Sequence, residues 1–272
     1  MVRWLSFLLV AAALLLVFSI IFFIFLLFHG RFGVGETSKG IKLVVLVDNN
    51  EYARGVETAW GLSIYVEAYG SRILFDTGPS PDVLRRNAER LGIDLNSINF
   101  IVISHEHGDH TGGLSLFAGK GLAVYIPRGS LIKNEIEEMG LKPVEVSRTI
   151  EVAKNIYVTK PLYGPPWEEA MAIATRKGLI IVVGCSHPGV AKIVKQACKD
   201  IGMRPYIVIG GFHMAYAPMD EVVKTVEELL AMGVSKIYPL HCSGDGVRSY
   251  LAKSHPENYG DGGAGLEIKE DI

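Results

Sequence analysis

Three histidines and one aspartate lie within six consecutive residues of this chain: His105, His107, Asp109 and His110. An apolar segment that ends at Ile103 comes directly before them. It predicts a buried strand whose carboxyl end leads into the cluster. Neutral imidazole and carboxylate are the usual ligands of zinc and of related divalent metals. The spacing therefore predicts that the first two histidines bind one metal ion and that the last two residues of the cluster bind a second.

Four further predicted strands end in side chains that could bind a metal or orient a ligand. These side chains are Asp76, Cys185 with His187, His213 and His241. Because ligands of layered α/β folds gather at strand ends, we expect them near the histidine cluster. Asp76 is predicted to orient a metal-bound histidine, with a plain turn aspartate as the alternative. His213 could act as an acid or bind a phosphate, or it could simply begin a helix.

The His-x-His-x-Asp-His motif after an apolar strand resembles the signature of the metallo-β-lactamase superfamily. The resemblance implies a four-layer αββα sandwich and places Asp109, His110 and His241 on the same metal ion. It implies one or two divalent ions, with zinc expected first and manganese or iron as alternatives. A bound metal lowers the pKa of water toward neutrality, which would supply a hydroxide nucleophile for hydrolysis.

The chain departs from the common pattern of this superfamily at two ligand positions. The superfamily supplies a third histidine to the first metal from a segment upstream of a central hairpin, but residues 111–186 contain none. His187 is the predicted replacement, and Glu168 or Glu169 is the alternative. Cys185 stands where a bridging aspartate is usual, and it could bridge as a thiolate or be a buried small residue.

Three further segments narrow the resemblance: residues 184–189 (Gly-Cys-Ser-His-Pro-Gly), 210–213 (Gly-Gly-Phe-His) and 240–244 (Leu-His-Cys-Ser-Gly). Together with residues 105–113 they resemble the branch named for 7,8-dihydropterin-6-methyl-4-(β-D-ribofuranosyl)aminobenzene-5′-phosphate synthase, an enzyme of archaeal methanopterin synthesis. The resemblance extends over about residues 42–268. It implies a site where metals would bind the pyrophosphate leaving group of a pterin while an arylamine attacks.

We expect an enzyme, a metal-dependent hydrolase of an ester, lactone or phosphoester-type small molecule, with Asp109 or His213 handling protons. A synthase or transferase of the pterin type is one alternative. A membrane-tethered sensor that binds a metal or small ligand without turnover is another. Iron redox chemistry is disfavoured, because the oxygen-reducing branch has glutamate in place of His107. Arg128 and Lys160, like Arg248, could meet a substrate phosphate, although lone basic residues are more often solvated.

The composition favours one large α/β domain and gives no sign of nucleic-acid binding. The chain has 272 residues, of which 49% are hydrophobic and 21% charged, and its formal net charge is −2. A chain of this length buries about three quarters of its unfolded surface, and it lacks the basic excess of nucleic-acid-binding proteins. Three widely spaced cysteines do not predict a disulfide framework. The sequence does not indicate an oligomeric state.

The first thirty residues differ in composition from the rest. Residues 4–28 contain no charge, and as a helix they would extend about 37 Å, enough to cross a hydrocarbon core of about 30 Å. The run is longer than the apolar part of a secretory signal and lacks a good cleavage point. We predict a single-pass anchor (or an uncleaved signal) over residues 1–30, a tether over 31–41 and a catalytic domain over 42–272. Flanking charges do not indicate which side of the membrane the domain occupies.

The elements that must position the site follow a mixed pattern. Residues 42–48 predict a strand, and hairpins are predicted on either side of residues 68–70 and 176–178. Later segments alternate between helix and strand, including an amphipathic helix over residues 220–232 and a strand over residues 237–240. Two sheets between helices are compatible with this order of elements.

Overall fold

The computed structural model describes residues 40–271. The predicted anchor and nearly all of the predicted tether lie outside these residues. Within residues 40–271, no helix is both long enough and apolar enough to cross a bilayer.

One sheet contains seven strands in the spatial order β15-β1-β2-β3-β4-β5-β6. Their bounds are β1 Gly40–Val47, β2 Ser63–Ala68, β3 Ser71–Phe75, β4 Phe100–Val102, β5 Ala123–Pro127, β6 Lys142–Val146 and β15 Glu267–Asp271. Strands β3, β4, β5 and β6 are parallel to one another, whereas β15, β1, β2 and β3 pair in antiparallel fashion. The carboxyl ends of four neighbouring strands therefore meet at one edge.

The other large sheet has six strands in the order β14-β13-β12-β11-β8-β7. They are β7 Ile150–Ala153, β8 Ile156–Val158, β11 Met171–Thr175, β12 Gly178–Val183, β13 Pro205–Gly211 and β14 Lys236–Leu240. Strands β12, β13 and β14 are parallel, so their carboxyl ends also share an edge. A separate short hairpin pairs β9, Leu162–Tyr163, with β10, Trp167–Glu168.

Six α-helices occur in the described part of the chain. They are α1 Pro81–Arg90, α2 Gly108–Thr111, α3 Lys133–Glu138, α4 Val190–Ile201, α5 Met219–Ala231 and α6 Gly244–Ser254. The sequence explains one end of two of them. Pro81 begins α1 with Asp82 in its first turn, and Gly202 ends α4 in the left-handed conformation, with φ 77°.

Three buried apolar clusters divide the molecule into four layers. Side chains of both sheets, such as Ile64 and Ile180, fill the space between the sheets. Helix α1 packs its Leu84 onto the outer face of the first sheet, and helices α4, α5 and α6 cover the second sheet with residues that include Val194 and Val226. Burial of each such side chain contributes about 1.5–3 kcal/mol. The αββα sandwich implied by the sequence resemblance is thus observed.

Most predicted elements are present, with small shifts at their ends. Both hairpins form, and β12 is buried along all its residues, as expected for a strand covered on both faces. The extended conformation predicted for the histidine segment persists through His107, with φ −67° and ψ 144°. From Gly108 the chain turns into α2 instead. The β9–β10 hairpin was not predicted, because two-residue strands are too short to show an alternating pattern.

Candidate metal centre

The candidate centre lies where the carboxyl-end edges of the two sheets meet. Strand β3 leads into Asp76 and β4 leads into the histidine segment. From the opposite sheet, β12 leads into Cys185 and His187, and β14 leads into His241. The tertiary fold therefore brings together side chains that are more than a hundred residues apart in sequence.

Four side chains form what we call the first group: His105, His107, Cys185 and His187. Donor atoms of His105, Cys185 and His187 all lie within 4.8 Å of one another. Nδ1 of His107 lies 3.1 Å from Nε2 of His105, and the ring centroids of His107 and His187 are 5.0 Å apart. Three of these side chains thus bring their donor atoms close together, and His107 lies beside two of them, His105 and His187.

Four side chains form the second group: Asp109, His110, Cys185 and His241. Oδ2 of Asp109 lies 3.3 Å from Nε2 of His241 and 3.6 Å from Nε2 of His110. Nε2 of His110 lies 3.2 Å from Sγ of Cys185. These separations are of the size expected for ligands that surround one ion.

Cys185 belongs to both groups and is 4% exposed. Its thiol therefore lies between the two candidate ion positions. The preceding residue permits this approach, because a Cβ on Gly184 would overlap the Ser104 hydroxyl at the end of the facing strand β4. Of the two roles that the sequence left open for Cys185, the bridging one has the geometry it needs.

Each of four imidazoles has its outer nitrogen next to an oxygen atom. The contacts are His105 Nδ1 to Ser104 Oγ at 2.9 Å, His110 Nδ1 to Asp76 Oδ2 at 2.7 Å, His187 Nδ1 to Glu168 Oε2 at 2.9 Å and His241 Nδ1 to Asn49 Oδ1 at 3.0 Å. Ser104 donates its hydroxyl proton to Asp76, so the proton shared with His105 must come from the imidazole. The lone pair of each Nε2 then faces the centre, as a metal ligand requires.

Asp76 holds two parts of the centre in place. Its carboxylate accepts hydrogen bonds from the backbone N–H and the hydroxyl of Ser104, and it contacts His110. The residue is fully buried and has a positive φ of 55°. These contacts are the ones that the orienting role predicted for Asp76 requires.

The surroundings of His105 and Asp109 lower the pKa of each side chain, which favours the form that can bind a cation. Burial, followed by the neighbouring imidazoles of His110 and His187, lowers the pKa of His105 well below its ordinary value. Burial raises the pKa of Asp109, but the close contact with His241 and the charge of His110 outweigh it and lower this pKa to about 2. His241 Nε2 is buried without a hydrogen-bond partner among residues 40–271. A bound cation would satisfy that nitrogen.

Neither glutamate that was the alternative to His187 joins the ligand groups found in the described residues. The carboxylate of Glu168 accepts the backbone N–H groups of Cys185, Ser186 and His187, so it holds the loop instead. Both carboxylate oxygens of Glu169 are buried and have no hydrogen-bond partner in the described part of the chain. Burial raises the pKa of Glu169 well above its ordinary value, which favours the neutral acid.

His213 lies beside the first group and is exposed at the rim. Its ring centroid is 4.5 Å from that of His187, and its backbone has a positive φ of 54°. Donor atoms of His213, Cys185 and Cys242 lie within 4.8 Å of one another. The helix start that was the alternative for His213 is not observed, because α5 begins later, at Met219.

Three residues of the centre were missed by the sequence analysis. Cys242 contacts the centre from the position after His241, and its Sγ accepts the backbone N–H of His213 at 3.3 Å. Asp48 accepts the backbone N–H of His241 at 2.6 Å, and Asn49 contacts the ring of His241. Asp48 and Asn49 directly follow β1, so the strand-end argument used for the other candidates could have found them.

Comparisons with known proteins agree with this geometry. A family model described as the metallo-β-lactamase superfamily matches residues 61–194. The chain is 31% identical to the 7,8-dihydropterin-6-methyl-4-(β-D-ribofuranosyl)-aminobenzene-5′-phosphate synthase of Methanocaldococcus jannaschii, over 84% of this chain and 96% of that protein.

Solved structures give the same result for the fold. The crystal structure of a metal-dependent hydrolase of the β-lactamase superfamily has a TM-score of 0.76 and 27% identity, and covers 85% of this chain and 100% of that chain. A diphosphatase of the PhnP family has a TM-score of 0.58 at 18% identity, over 86% of this chain and 98% of its own. The chain therefore belongs to the metallo-β-lactamase superfamily and, within it, to the branch of the dihydropterin-ribofuranosylaminobenzene phosphate synthase.

Proposed function

We propose that this chain is a metal-dependent transferase that joins a dihydropterin to an arylamine bearing a ribose phosphate. The observation that carries the proposal is the 31% identity with the Methanocaldococcus jannaschii synthase along 96% of that protein. A match of this extent cannot be confined to the histidine motif. It makes the transferase, which the sequence suggested as an alternative, the preferred function over hydrolysis.

The residues of the centre fit one or two divalent metal ions. The first group would hold one ion and the second group another, with Cys185 shared between them. Imidazole nitrogen, carboxylate oxygen and thiolate sulfur suit zinc best, and manganese and iron remain alternatives. When bound, such ions would stabilise negative charge on a diphosphate leaving group or lower the pKa of water.

The side chains at the rim would handle the proton of the reaction. The arylamine nitrogen forms a bond to the methyl carbon on the pterin, the bond from that carbon to a diphosphate oxygen breaks, and the amine proton passes to His213. His213 suits this role because its imidazole is exposed beside the first group. Asp109, with its pKa lowered to about 2, is better suited to holding a cation than to accepting a proton.

Hydrolysis is a second candidate function, and one observation favours it. A metal-dependent hydrolase of the superfamily resembles this chain with a TM-score of 0.76 at 27% identity. In that reaction water replaces the arylamine as the nucleophile at an ester, lactone or phosphoester.

One experiment separates these functions. Protein loaded with zinc or manganese is given a dihydropterin-methyl diphosphate, with and without the arylamine ribose phosphate, and mass spectrometry follows diphosphate and the coupled product. We expect diphosphate release that depends on the arylamine, together with the coupled product. Diphosphate release without the amine, or turnover of a generic ester, lactone or phosphodiester panel, would support the hydrolase instead. Metal-loaded protein that binds ligand but turns over none of these would support a sensor.

We also propose that residues 1–30 attach the chain to a membrane. The support is the charge-free composition of residues 4–28. Fractionation of cells that express the full chain, or a chain beginning at residue 38, tests this proposal. We expect only the full chain to sediment with membranes and to resist extraction by alkaline carbonate.

A further inference from the structure

Two neighbouring grooves share Trp167 as a common wall beside the candidate centre. The first, which we call the aromatic groove, has a volume of about 420 Å³, and its walls include His107, Leu131, Tyr163 and Trp167. The second, the cationic groove, has a volume of about 180 Å³, and its walls include Arg128, Ser147, Lys160 and Trp167. Because His107 belongs to the first ligand group, the aromatic groove borders the candidate centre.

The aromatic groove presents large apolar side chains to solvent. Tyr163 and Trp167 stand opposite each other across the β9–β10 hairpin, with ring centroids 5.2 Å apart. They are 62% and 44% exposed, and Leu131 is 81% exposed. Exposed aromatic and aliphatic side chains grouped in this way offer a surface on which a flat ring can stack.

The cationic groove lies along the same sheet edge as the histidine segment. Arg128 directly follows β5, and its backbone N–H donates to the carbonyl of Val146 at 2.9 Å. Ser147 directly follows β6. Strands β4, β5 and β6 are neighbouring and parallel, so their carboxyl ends carry the histidines and then these two residues in spatial order.

A hydrogen-bonded loop connects the two features. The carboxylate of Glu106, between two of the candidate ligand histidines, accepts the hydroxyl of Ser130 at 3.0 Å and the backbone N–H of Leu131 at 2.6 Å. The loop that begins at Arg128 is therefore held against the histidine segment. This arrangement keeps both grooves at a constant position relative to the centre.

The side chains that line the cationic groove carry a net positive charge, and the nearby acid that interacts with Arg128, Glu145, is already paired with Lys133. Arg128 and Lys160 contribute two positive charges and Ser147 a hydroxyl, and no carboxylate lines the groove. Within residues 40–271, neither cation takes part in an ion pair. By contrast, a groove at the β1–β15 end of the same sheet combines three lysines with three acids: Lys42, Lys177 and Lys269 with Glu67, Glu270 and Asp271. The cationic groove is thus suited to an anion, and guanidinium is a good partner of phosphate.

We propose that the two grooves together bind one substrate that carries an aromatic ring and, separated from it by a sugar, a phosphate monoester. The ring stacks on Tyr163 and Trp167 with its reactive substituent toward His107. The phosphate reaches past Trp167 to Arg128, Lys160 and Ser147. This inference rests on the proposed function, in which the arylamine ribose phosphate has this layout, and it assigns that substrate's position.

The test measures binding rather than turnover, so that it does not depend on the transfer reaction. The probes are adenosine 5′-monophosphate and adenosine, which have a ring, a ribose and either a phosphate or none. Their affinities for the metal-loaded full chain are measured by ligand-observed NMR. Since hydrogen bonds to charged groups are stronger than neutral ones, we expect the monophosphate to bind about tenfold tighter or more.

Variants then locate the two ends of the probe. In R128Q/K160Q we expect the monophosphate affinity to fall to that of adenosine, while adenosine binding is unchanged. In W167A we expect both probes to bind several-fold more weakly. The charge-matched control is K154Q/R176Q, because both cations are exposed, lie in turns and line neither groove. This control should bind both probes as the wild type does.

Two outcomes would overturn the proposal. Equal monophosphate affinity in R128Q/K160Q and wild type would mean that the phosphate binds elsewhere, for instance at the metals. Equal loss in R128Q/K160Q and in the charge-matched control would mean a general charge effect. Failure of the transferase proposal looks different: no coupled product would form, while the probes would still respond to these variants.

Discussion

The thiol sulfur of Cys185 lies 3.2 Å from Nε2 of His110. The same sulfur is within 4.8 Å of donor atoms on His105 and His187, which belong to the first group. A one-atom donor at this position can contact both candidate ions, and the common superfamily pattern places an aspartate here. The chain thus combines a typical histidine motif with a sulfur donor that lies between the two candidate ion positions.

Replacement of Cys185 tests that relationship. We expect Cys185→Ala to retain less zinc than the wild type after dialysis, because both groups lose a donor. Cys185→Asp should retain more zinc than the alanine variant, since a carboxylate can bridge two ions. Metal analysis by mass spectrometry measures both. Equal zinc content in the alanine variant and the wild type would show that the thiol is only a buried small side chain.

His107 tests the first ligand group. His107 is exposed, so His107→Ala should leave the fold intact while removing one imidazole from that group. We expect lower metal content and loss of most turnover, with an unchanged circular dichroism spectrum. His255→Ala is the matched control, because His255 contacts Glu227 at 2.7 Å on the surface and belongs to neither group. Unchanged metal content in His107→Ala would contradict the proposed ligand set.

Replacement of Asp76 tests whether its carboxylate orients the candidate ligands. In the wild type, Oδ1 of Asp76 accepts the backbone N–H of Ser104, and Oδ2 contacts the Ser104 hydroxyl and Nδ1 of His110. Asp76→Asn keeps only one of these two acceptor oxygens, so it cannot make all three contacts. We expect a loss of about 2–4 kcal/mol in the free energy of unfolding. Metal affinity should fall about 10–100-fold. Urea unfolding and zinc competition measure the two effects.

A surface aspartate provides the control for that experiment. Asp82→Asn removes an exposed carboxylate in the first turn of α1 that pairs with Arg85 at 3.4 Å. Its unfolding free energy should change by less than about 1 kcal/mol. An Asp76→Asn variant as stable as this control, with unchanged zinc affinity, would exclude the orienting role.

Metal binding should release protons near neutral pH. The hydrogen bond with Cys242, followed by burial, raises the pKa of Cys185. Burial alone would lower the pKa of His110, but the charge and hydrogen bond of Asp76 outweigh burial, so the pKa of His110 is raised. A metal that binds Cys185 as a thiolate must displace the thiol proton, and the raised pKa of His110 adds to this competition between metal and proton, whereas His105, with its lowered pKa, favours the neutral imidazole that binds metal. The affinity for zinc should accordingly rise with pH between about 6 and 8.

Calorimetry in two buffers with different ionisation enthalpies counts the protons released. We expect Cys185→Ala to release about one proton fewer per chain than the wild type at pH 7. An equal count in both proteins would mean that the thiol is not deprotonated on metal binding. A zinc affinity that is flat over this pH range would contradict the raised pKa of both groups.

Much of the local structure could be predicted from the amino-acid sequence alone. The strand before His105, the hairpin turns near residues 69 and 177, and the amphipathic α5 all follow from local periodicity and from turn-forming residues. The clustering of three histidines and an aspartate within six residues was enough to predict a metal site. These features depend on neighbours in sequence, so a single sequence is sufficient to find them.

Which side chains come together in the candidate site depends on the tertiary structure. Cys185, His187 and His241 reach the histidine segment only because β12 and β14 end at the edge that faces β4 across the sandwich. Sequence alone could not decide between His187 and the two glutamates. That choice depends on which side chain the backbone turn after β12 directs inward, and Glu168 is instead held by the N–H groups of that turn. The grooves on either side of Trp167 likewise exist only once β5, β6 and the β9–β10 hairpin are assembled, because their walls come from segments with no common sequence pattern.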